Sequence, residues 1–162
     1  MAEKIIEINM ADMKIAEAPA KLITRGLGSC LGIVIYNPVK KIGGMAHPML
    51  PDINHAKIQS NPHRFVNSVI IKMVDELERK AGSRANLITK LFGGAHMFNF
   101  IAGDSILNVG ERNIVMAKAI LNELGIKILA EDTGGSFGRT VELDLDNGRV
   151  LVKTVNLGEK EV

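Results

Sequence analysis

The residues of this chain best suited to chemistry are its single cysteine, Cys30, and a histidine further along, His47. Cys30 lies in the glycine-rich stretch Thr24-Arg25-Gly26-Leu27-Gly28-Ser29-Cys30-Leu31-Gly32, and His47 lies in Gly43-Gly44-Met45-Ala46-His47-Pro48. A thiol is the side chain most readily made into a nucleophile near neutral pH, and glycines let the backbone turn sharply and a substrate approach closely. These types predict a cysteine nucleophile with a histidine base.

The chemistry of such a pair is attack on a carbonyl. An ordinary thiol has a pKa near 8.5, and pairing with an imidazole can bring that pKa below ambient pH and increase the thiolate fraction roughly 30-fold. We expect His47 to activate Cys30 and then to protonate the departing amine. Thr24 is within reach to orient the imidazole, and the turn Gly28–Cys30 could present backbone N–H groups to an oxyanion.

Other interpretations of the same residues stay open. Cys30 could be an inert, buried small side chain. The glycines around it fit a nucleophile elbow, but a β-branched run follows where that motif needs a helix. Cys30 with His47, His55 and His63 could be metal ligands, although their spacing matches no common zinc pattern, so that we predict structural or surface roles for His55, His63 and His96 and no metal site.

The length, composition and net charge of the chain restrict the class of protein. The 162 residues are 46% hydrophobic, which predicts one domain over residues 1–162 with a proper core. The net charge of +2, one Tyr and no Trp argue against a nucleic-acid binder. No apolar run approaches the roughly 20 residues that span a bilayer, and one cysteine fits a reducing compartment, so we expect a soluble, cytoplasmic protein without membrane insertion.

The elements that must position these residues follow from periodicity and turn signals. Two amphipathic helices are predicted, from Pro62 to Ala81 and from Gly110 to Gly125. Leu31 to Tyr36 predicts a buried strand that forms a hairpin with Ile42 to Met49, which brings His47 close to Cys30. The tail after Gly158 is predicted to be frayed. The other predicted strands are 4–9, 13–16, 21–24, 86–92, 126–130 and 139–145, the last paired with 149–155 across Asp146-Asn147-Gly148.

Strands at both ends with two helices between them predict a single α/β domain with a mixed or largely antiparallel sheet. Gly93-Gly94 and Gly134-Gly135 predict tight turns near the site, because neither belongs to a complete phosphate loop.

The same residues resemble a known family. Thr24, Gly26 to Cys30 and His47-Pro48 are similar to the catalytic signature of CheD, the chemoreceptor glutamine deamidases. Further family blocks follow in order: Gly93-Gly94-Ala95 with Met97-Phe98, Gly110-Glu111-Arg112-Asn113, and Asp132-Thr133-Gly134-Gly135 with Gly138-Arg139.

The resemblance implies a Cys30–His47–Thr24 amidohydrolase, without cofactor, that converts selected glutamines of methyl-accepting chemotaxis receptors to glutamate. It also implies receptor methylesterase activity in some members and a partner, the CheC phosphatase. The implied fold is a β-sandwich of mixed sheets flanked by helices, similar to the catalytic domain of the cytotoxic necrotizing factors. Two other functions compete: a non-catalytic adaptor that binds CheC or receptor, and a cysteine peptidase or general amidase.

Overall fold

The computed structural model describes residues 4–97, 108–154 and 157–162. Within these ranges the chain forms ten strands and two α-helices. The helices are α1 (Val66–Ala81) and α2 (Val109–Leu124). The strands are β1 (Ile5–Glu7), β2 (Met13–Glu17), β3 (Lys21–Leu27), β4 (Leu31–Asn37), β5 (Ile42–Ala46), β6 (Ile88–Gly93), β7 (Lys127–Thr133), β8 (Arg139–Asp144), β9 (Val150–Thr154) and β10 (Gly158–Glu161).

The strands form two five-stranded sheets. The outer sheet has the order β1-β3-β8-β9-β10, and the central sheet has the order β2-β5-β4-β6-β7. Each sheet is mixed, because β1 runs parallel to β3 and β6 runs parallel to β7 while the other pairs are antiparallel. The predicted α/β class, with mixed sheets and two helices, is confirmed. The likeness to the cytotoxic necrotizing factor domain stays a prediction.

Strand β4 is buried along its whole length, as its run of β-branched residues predicts. Its side chains alternate between two hydrophobic clusters. Ile33 and Ile35 pack with the helices, whereas Val34 and Tyr36 pack against the outer sheet. The central sheet is therefore covered on both faces, by α1 and α2 on one and by the outer sheet on the other.

The predicted hairpin is confirmed, since β4 and β5 pair antiparallel with Ile33 opposite Ala46, but β5 ends at Ala46 and not at Met49, so that His47 follows the strand. The pairing of β8 with β9 is also confirmed, although the predicted end at Val155 lies outside the described residues. Because β5 ends beside the start of β4, the residues after Ala46 return to the neighbourhood of Cys30. Strand β3 is longer than predicted and continues through an irregularity between Thr24 and Leu27.

The first helix begins later than predicted. Residues Pro62–Arg64 form a 3-10 turn capped by the Asn61 side chain, and α1 starts at Val66. The reason lies in Phe65, which is extended (φ −113°, ψ 139°) and forms a parallel bridge with Leu50. A tertiary contact thus interrupts a helix that the Asn-Pro signal alone would start at residue 62.

The prediction of a frayed tail is wrong. Gly158–Glu161 pairs antiparallel with β9 as an edge strand, with Lys160 opposite Val152. All four of its residues are exposed, so the strand has no apolar periodicity that a sequence could reveal. In the described ranges, no helix is long and apolar enough to cross a membrane.

Candidate active site

Cys30 lies in the short connection between β3 and β4 and is buried, with 8% of its surface exposed. The carbonyl of Cys30 accepts a hydrogen bond from the Gly94 N–H at 2.9 Å, and the carbonyl of Gly28 accepts one from the Ala95 N–H at 2.9 Å. Gly93 lies so close that a Cβ there would be 2.5 Å from the Cys30 carbonyl oxygen. The Cys30 turn is therefore held against the end of β6, where only glycine fits.

His47 follows β5 and is 1% exposed. Its N–H donates to the Asp12 carbonyl at 3.0 Å, and its carbonyl accepts from the Ala11 N–H at 2.8 Å. Ala11 has a φ of +60°, a left-handed conformation that costs a non-glycine residue about 1 kcal/mol. The segment between β1 and β2 thus holds the histidine backbone, a role that no residue-type signal in the sequence predicts.

The structure brings the Cys30 and His47 segments together. The N–H of Leu31, the residue after Cys30, donates to the carbonyl of Pro48, the residue after His47, at 3.2 Å. Asn113, on α2, donates from Nδ2 to the Ser29 carbonyl at 3.0 Å and to the Met49 carbonyl at 3.1 Å. One buried amide therefore ties together the two segments that carry the thiol and the imidazole.

Thr24 reaches His47 from the outer sheet, with Oγ1 2.7 Å from Nδ1. The same hydroxyl donates to the Ile8 carbonyl at 2.7 Å. A threonine hydroxyl has one hydrogen and a carbonyl has none, so Oγ1 must accept from Nδ1–H. The imidazole consequently carries its proton on Nδ1 and leaves Nε2 unprotonated.

This tautomer suits a base. His47 Nε2 is buried and has no hydrogen-bond partner among the described residues. Burial lowers the pKa of His47 to about 4, so the ring is neutral at physiological pH. Nε2 is therefore a buried proton acceptor without a partner in the described ranges.

The thiol does not behave as the sequence predicts. Burial raises the pKa of Cys30 above its ordinary value, and the lowering effect of its own backbone N–H is smaller. The expected depression of the pKa by the imidazole is wrong for this resting site, because a neutral imidazole supplies no positive charge to stabilise a thiolate. Burial therefore favours the neutral form of both the Cys30 thiol and the His47 imidazole.

The backbone N–H groups of the Cys30 turn are the predicted oxyanion donors. The Gly28 N–H donates to the Gly26 carbonyl and the Leu31 N–H to Pro48, so both are occupied. Within the described part of the chain, the N–H groups of Ser29 and Cys30 donate to no carbonyl. These two adjacent donors could turn toward an anion, although the Cys30 N–H interacts with its own sulfur in the free protein.

Arg139 and Asp132 support the same end of the molecule. Arg139 is 3% exposed, lies 3.2 Å from the Asp132 carboxylate and donates to the Gly93 carbonyl at 3.5 Å. The pair joins β8 of the outer sheet to β7 of the central sheet. The Gly134 N–H also donates to the Gly93 carbonyl at 2.9 Å, so both glycine pairs form turns near the site, as predicted.

The other three histidines take no part in the Thr24–His47 hydrogen bond. His55 is exposed, with Nδ1 3.9 Å from the Asp52 carboxylate. It lines a surface groove of about 440 Å³ between α2 and residues 51–55. Neither Cys30 nor His47 lines this groove. His63 lies in the 3-10 turn before α1, and the His96 N–H donates to the Gly135 carbonyl. No group of three or more His, Cys, Asp or Glu side chains in the described ranges could hold a metal ion.

The fold and site together define an α/β protein with a buried thiol, imidazole and hydroxyl where its two sheets meet. A family model described as CheD chemotactic sensory transduction matches residues 49–154. A protein of Caldanaerobacter subterraneus subsp. tengcongensis named "Probable chemoreceptor glutamine deamidase CheD" is 44% identical over the full length of both chains. The chain belongs to the CheD family.

Other relatives agree. A CheD of Desulforamulus reducens is 45% identical over 93% of this chain and 90% of its own, and a CheD 1 of the archaeon Methanosarcina acetivorans is 44% identical over 98% of this chain and 97% of its own. Among solved structures, the hypothetical protein YfiH of Bacillus licheniformis has a TM-score of 0.47 and 13% identity, covering 80% of this chain and 58% of that chain.

Proposed function

We propose that this protein is a chemoreceptor glutamine deamidase in which Cys30 is the nucleophile, His47 the general base and acid, and Thr24 the residue that orients His47. The observation that carries the proposal is the relay from the Ile8 carbonyl through Thr24 to His47 Nδ1, which leaves Nε2 unprotonated. The names of the relatives supply the substrate, a glutamine of a chemoreceptor, and the sequence resemblance implies the methyl-accepting class of receptor. The reaction would take place on the cytoplasmic region of that receptor.

The chemistry follows from the protonation states. As the Cys30 sulfur attacks the side-chain carboxamide carbon, His47 Nε2 takes the thiol proton, and a tetrahedral oxyanion forms. The imidazolium returns that proton to the nitrogen, ammonia leaves and a thioester remains. Water then attacks the thioester with Nε2 as base, which gives glutamate and the free thiol.

The site fits transfer of the Cys30 proton to His47 during the attack, and does not fit a thiolate–imidazolium ion pair that exists beforehand. The raised pKa of Cys30 keeps the thiol protonated, and the low pKa of His47 keeps the base free. Iodoacetamide labelling should therefore titrate at a pH above that of an ordinary cysteine. A raised thiol pKa is compatible with catalysis, because general-base transfer does not require a low one.

The direct test is mass spectrometry of a receptor cytoplasmic fragment incubated with the protein. Deamidation adds about one dalton without chain cleavage, since an OH replaces an NH₂. Wild type should produce this shift with ammonia, and Cys30→Ala should produce neither while keeping the circular dichroism of the wild type. A shift of equal extent with Cys30→Ala would refute the cysteine mechanism, and cleaved fragments would indicate the peptidase.

The remaining expectations from the resemblance stay predictions. A non-catalytic adaptor for CheC or receptor is the competing function, and it requires unmodified receptor with wild-type protein. Binding to the CheC phosphatase and hydrolysis of receptor methyl esters are separate measurements, by pull-down with purified CheC and by methanol release. Each can fail while deamidation succeeds.

A further inference from the structure

Asn113 is a buried amide that the chemistry above does not use. It lies in the second turn of α2, is 0% exposed, and donates through Nδ2 to the carbonyls of Ser29 and Met49. Both partners can only accept, so the orientation of the amide is not interchangeable: the nitrogen must face them. Asn113 thus acts on the backbone of the Cys30 turn from a different element.

The bond to the Ser29 carbonyl also affects Cys30. That carbonyl belongs to the same peptide unit as the Cys30 N–H, and an amide whose oxygen accepts a hydrogen bond becomes a stronger donor through its N–H. The Cys30 N–H donates to no carbonyl among the described residues. The bond from Asn113 therefore strengthens and orients a donor that has no carbonyl acceptor in the described ranges and that interacts only with the sulfur of its own residue.

Close packing and a helix cap fix the start of α2, the helix that carries Asn113. A Cβ on Gly110 would lie 2.4 Å from the Ala95 carbonyl oxygen, so α2 packs directly on the segment that hydrogen-bonds to the Cys30 turn. The Asn108 side chain caps the helix by accepting from the Glu111 N–H at 3.0 Å. Asn113 is thereby held at a defined distance from Ser29.

The remaining atom of the amide shows that packing does not explain this residue. Asn113 Oδ1 is buried with no hydrogen-bond partner among the described residues. Such an atom costs about 1–3 kcal/mol, and an apolar residue of similar size would avoid that cost. The two bonds that Nδ2 makes are what an asparagine supplies here.

We propose that Asn113 is a positioning residue for the oxyanion site: its amide fixes the Ser29–Cys30 peptide so that the Cys30 N–H faces the oxyanion of the tetrahedral intermediate, and it ties this turn to the segment after His47. The proposal rests on the proposed deamidase function. It concerns the step that creates negative charge on oxygen, and it leaves the nucleophilicity of the thiol unaffected.

The test compares Asn113→Ala with wild type in three measurements: kcat and KM of deamidation, the rate of iodoacetamide alkylation, and the free energy of unfolding. Loss of one oxyanion donor costs about 100- to 1,000-fold in kcat, and a displaced donor costs less, so we expect kcat per folded molecule to fall about 10- to 100-fold with KM within about twofold. Alkylation should stay within about threefold, because displacement at a saturated carbon develops no oxyanion.

The matched control is Asn67→Ala. Asn67 is also a nearly buried helix asparagine whose amide fastens a loop, through Ile53 and Asp52, but its side-chain hydrogen bonds among the described residues do not reach the Cys30 turn. Its variant should lose stability and keep its kcat. If Asn113→Ala does not fold, Asn113→Ser, which retains one donor, is measured in its place and should show a smaller loss of kcat.

Three results would overturn the proposal. The first is an unchanged kcat in Asn113→Ala, and the second is a fall in its alkylation rate as large as the fall in its kcat. The third is a loss of kcat in Asn67→Ala equal to that in Asn113→Ala. These results differ from a failure of the proposed function. That function fails if wild type does not deamidate receptor or if Cys30→Ala does, and the proposal for Asn113 then fails with it. Activity in wild type, none in Cys30→Ala and full activity in Asn113→Ala would refute the positioning role alone.

Discussion

The side chains buried on the two faces of the central sheet differ in polarity. The face covered by α1 and α2 is an apolar cluster, with Ile70, Met73 and Leu77 of α1 fully buried against β4 and its neighbours. The face toward the outer sheet is also apolar along most of its length, but at one end it contains Cys30 and, between the sheets, the buried Thr24 and His47. The apolar side chains of the helix face contribute stability. The inter-sheet face also buries polar side chains, and these set protonation states.

This contrast explains why the chemistry requires two sheets. Thr24 lies on β3 of the outer sheet, and His47 follows β5 of the central sheet, so their hydrogen bond crosses the sandwich. Burial at that position lowers the pKa of the imidazole and raises that of the thiol. Desolvation thus favours the neutral imidazole and the protonated thiol, which in the proposed mechanism are the base and the nucleophile.

The largest expected effect is at the base. His47→Ala should lower kcat about 1,000-fold, because general-base transfer contributes about 100- to 10,000-fold. Ammonia release from receptor fragment measures it. His63→Ala is the control, since its Nε2 is also buried without a partner in the described ranges but plays no part in the Thr24 relay. A His47→Ala enzyme within tenfold of wild type would remove the distinction between the two faces.

The complementary change is on the helix face. Ile70→Ala should reduce the free energy of unfolding by about 3 kcal/mol, since deletion of a buried aliphatic side chain leaves a cavity. Urea denaturation measures this loss. At a temperature where the variant is folded, kcat should stay within about threefold of wild type. A tenfold fall in kcat would show that the packing of α1 against β4, and not only Asn113 on α2, affects the site.

Thr24 tests the relay between the sheets. Thr24→Val keeps the shape and removes the hydroxyl, which leaves the Nδ1–H without its acceptor, and kcat should fall about 100-fold, less than the roughly 10,000-fold known for a carboxylate orienter. Thr24→Ser retains the hydroxyl and should keep most of the activity. Equal rates in the valine and serine variants would refute the orienting role.

The smallest effect is a dependence of stability on pH. The pKa of His47 is about 4 in the fold and near 6.5 when unfolded, so between these values the unfolded chain binds more protons. Stability from this residue is complete above pH 6.5 and is lost as pH falls toward 4, by about 2 kcal/mol at pH 5. Urea denaturation at pH 7.5 and 5 should show this loss in wild type beyond that in His47→Ala. Identical losses would mean that His47 is not neutral in the fold.

Much of the local structure could be predicted from residue types. The β-branched run from Leu31 predicts a strand buried on both sides, and the Asn147-Gly148 turn predicts the β8–β9 hairpin, because both signals lie within a few consecutive residues. The start of α1 could not be predicted, since a bridge between Phe65 and Leu50 decides it. The edge strand β10 could not be predicted either, because its exposed residues carry no pattern.

The sequence by itself determined which groups are available: one thiol among glycines, an imidazole that a hairpin returns to it, and a hydroxyl on the preceding strand. Only the tertiary structure decided their states. The Ile8 carbonyl orients the Thr24 hydroxyl, which sets the tautomer of His47, and the Asn113 amide holds the Cys30 turn. The contacts to Ile8 and Ser29 join backbone carbonyls, which every residue has, to side chains far away in the chain, so they leave no signal in residue types.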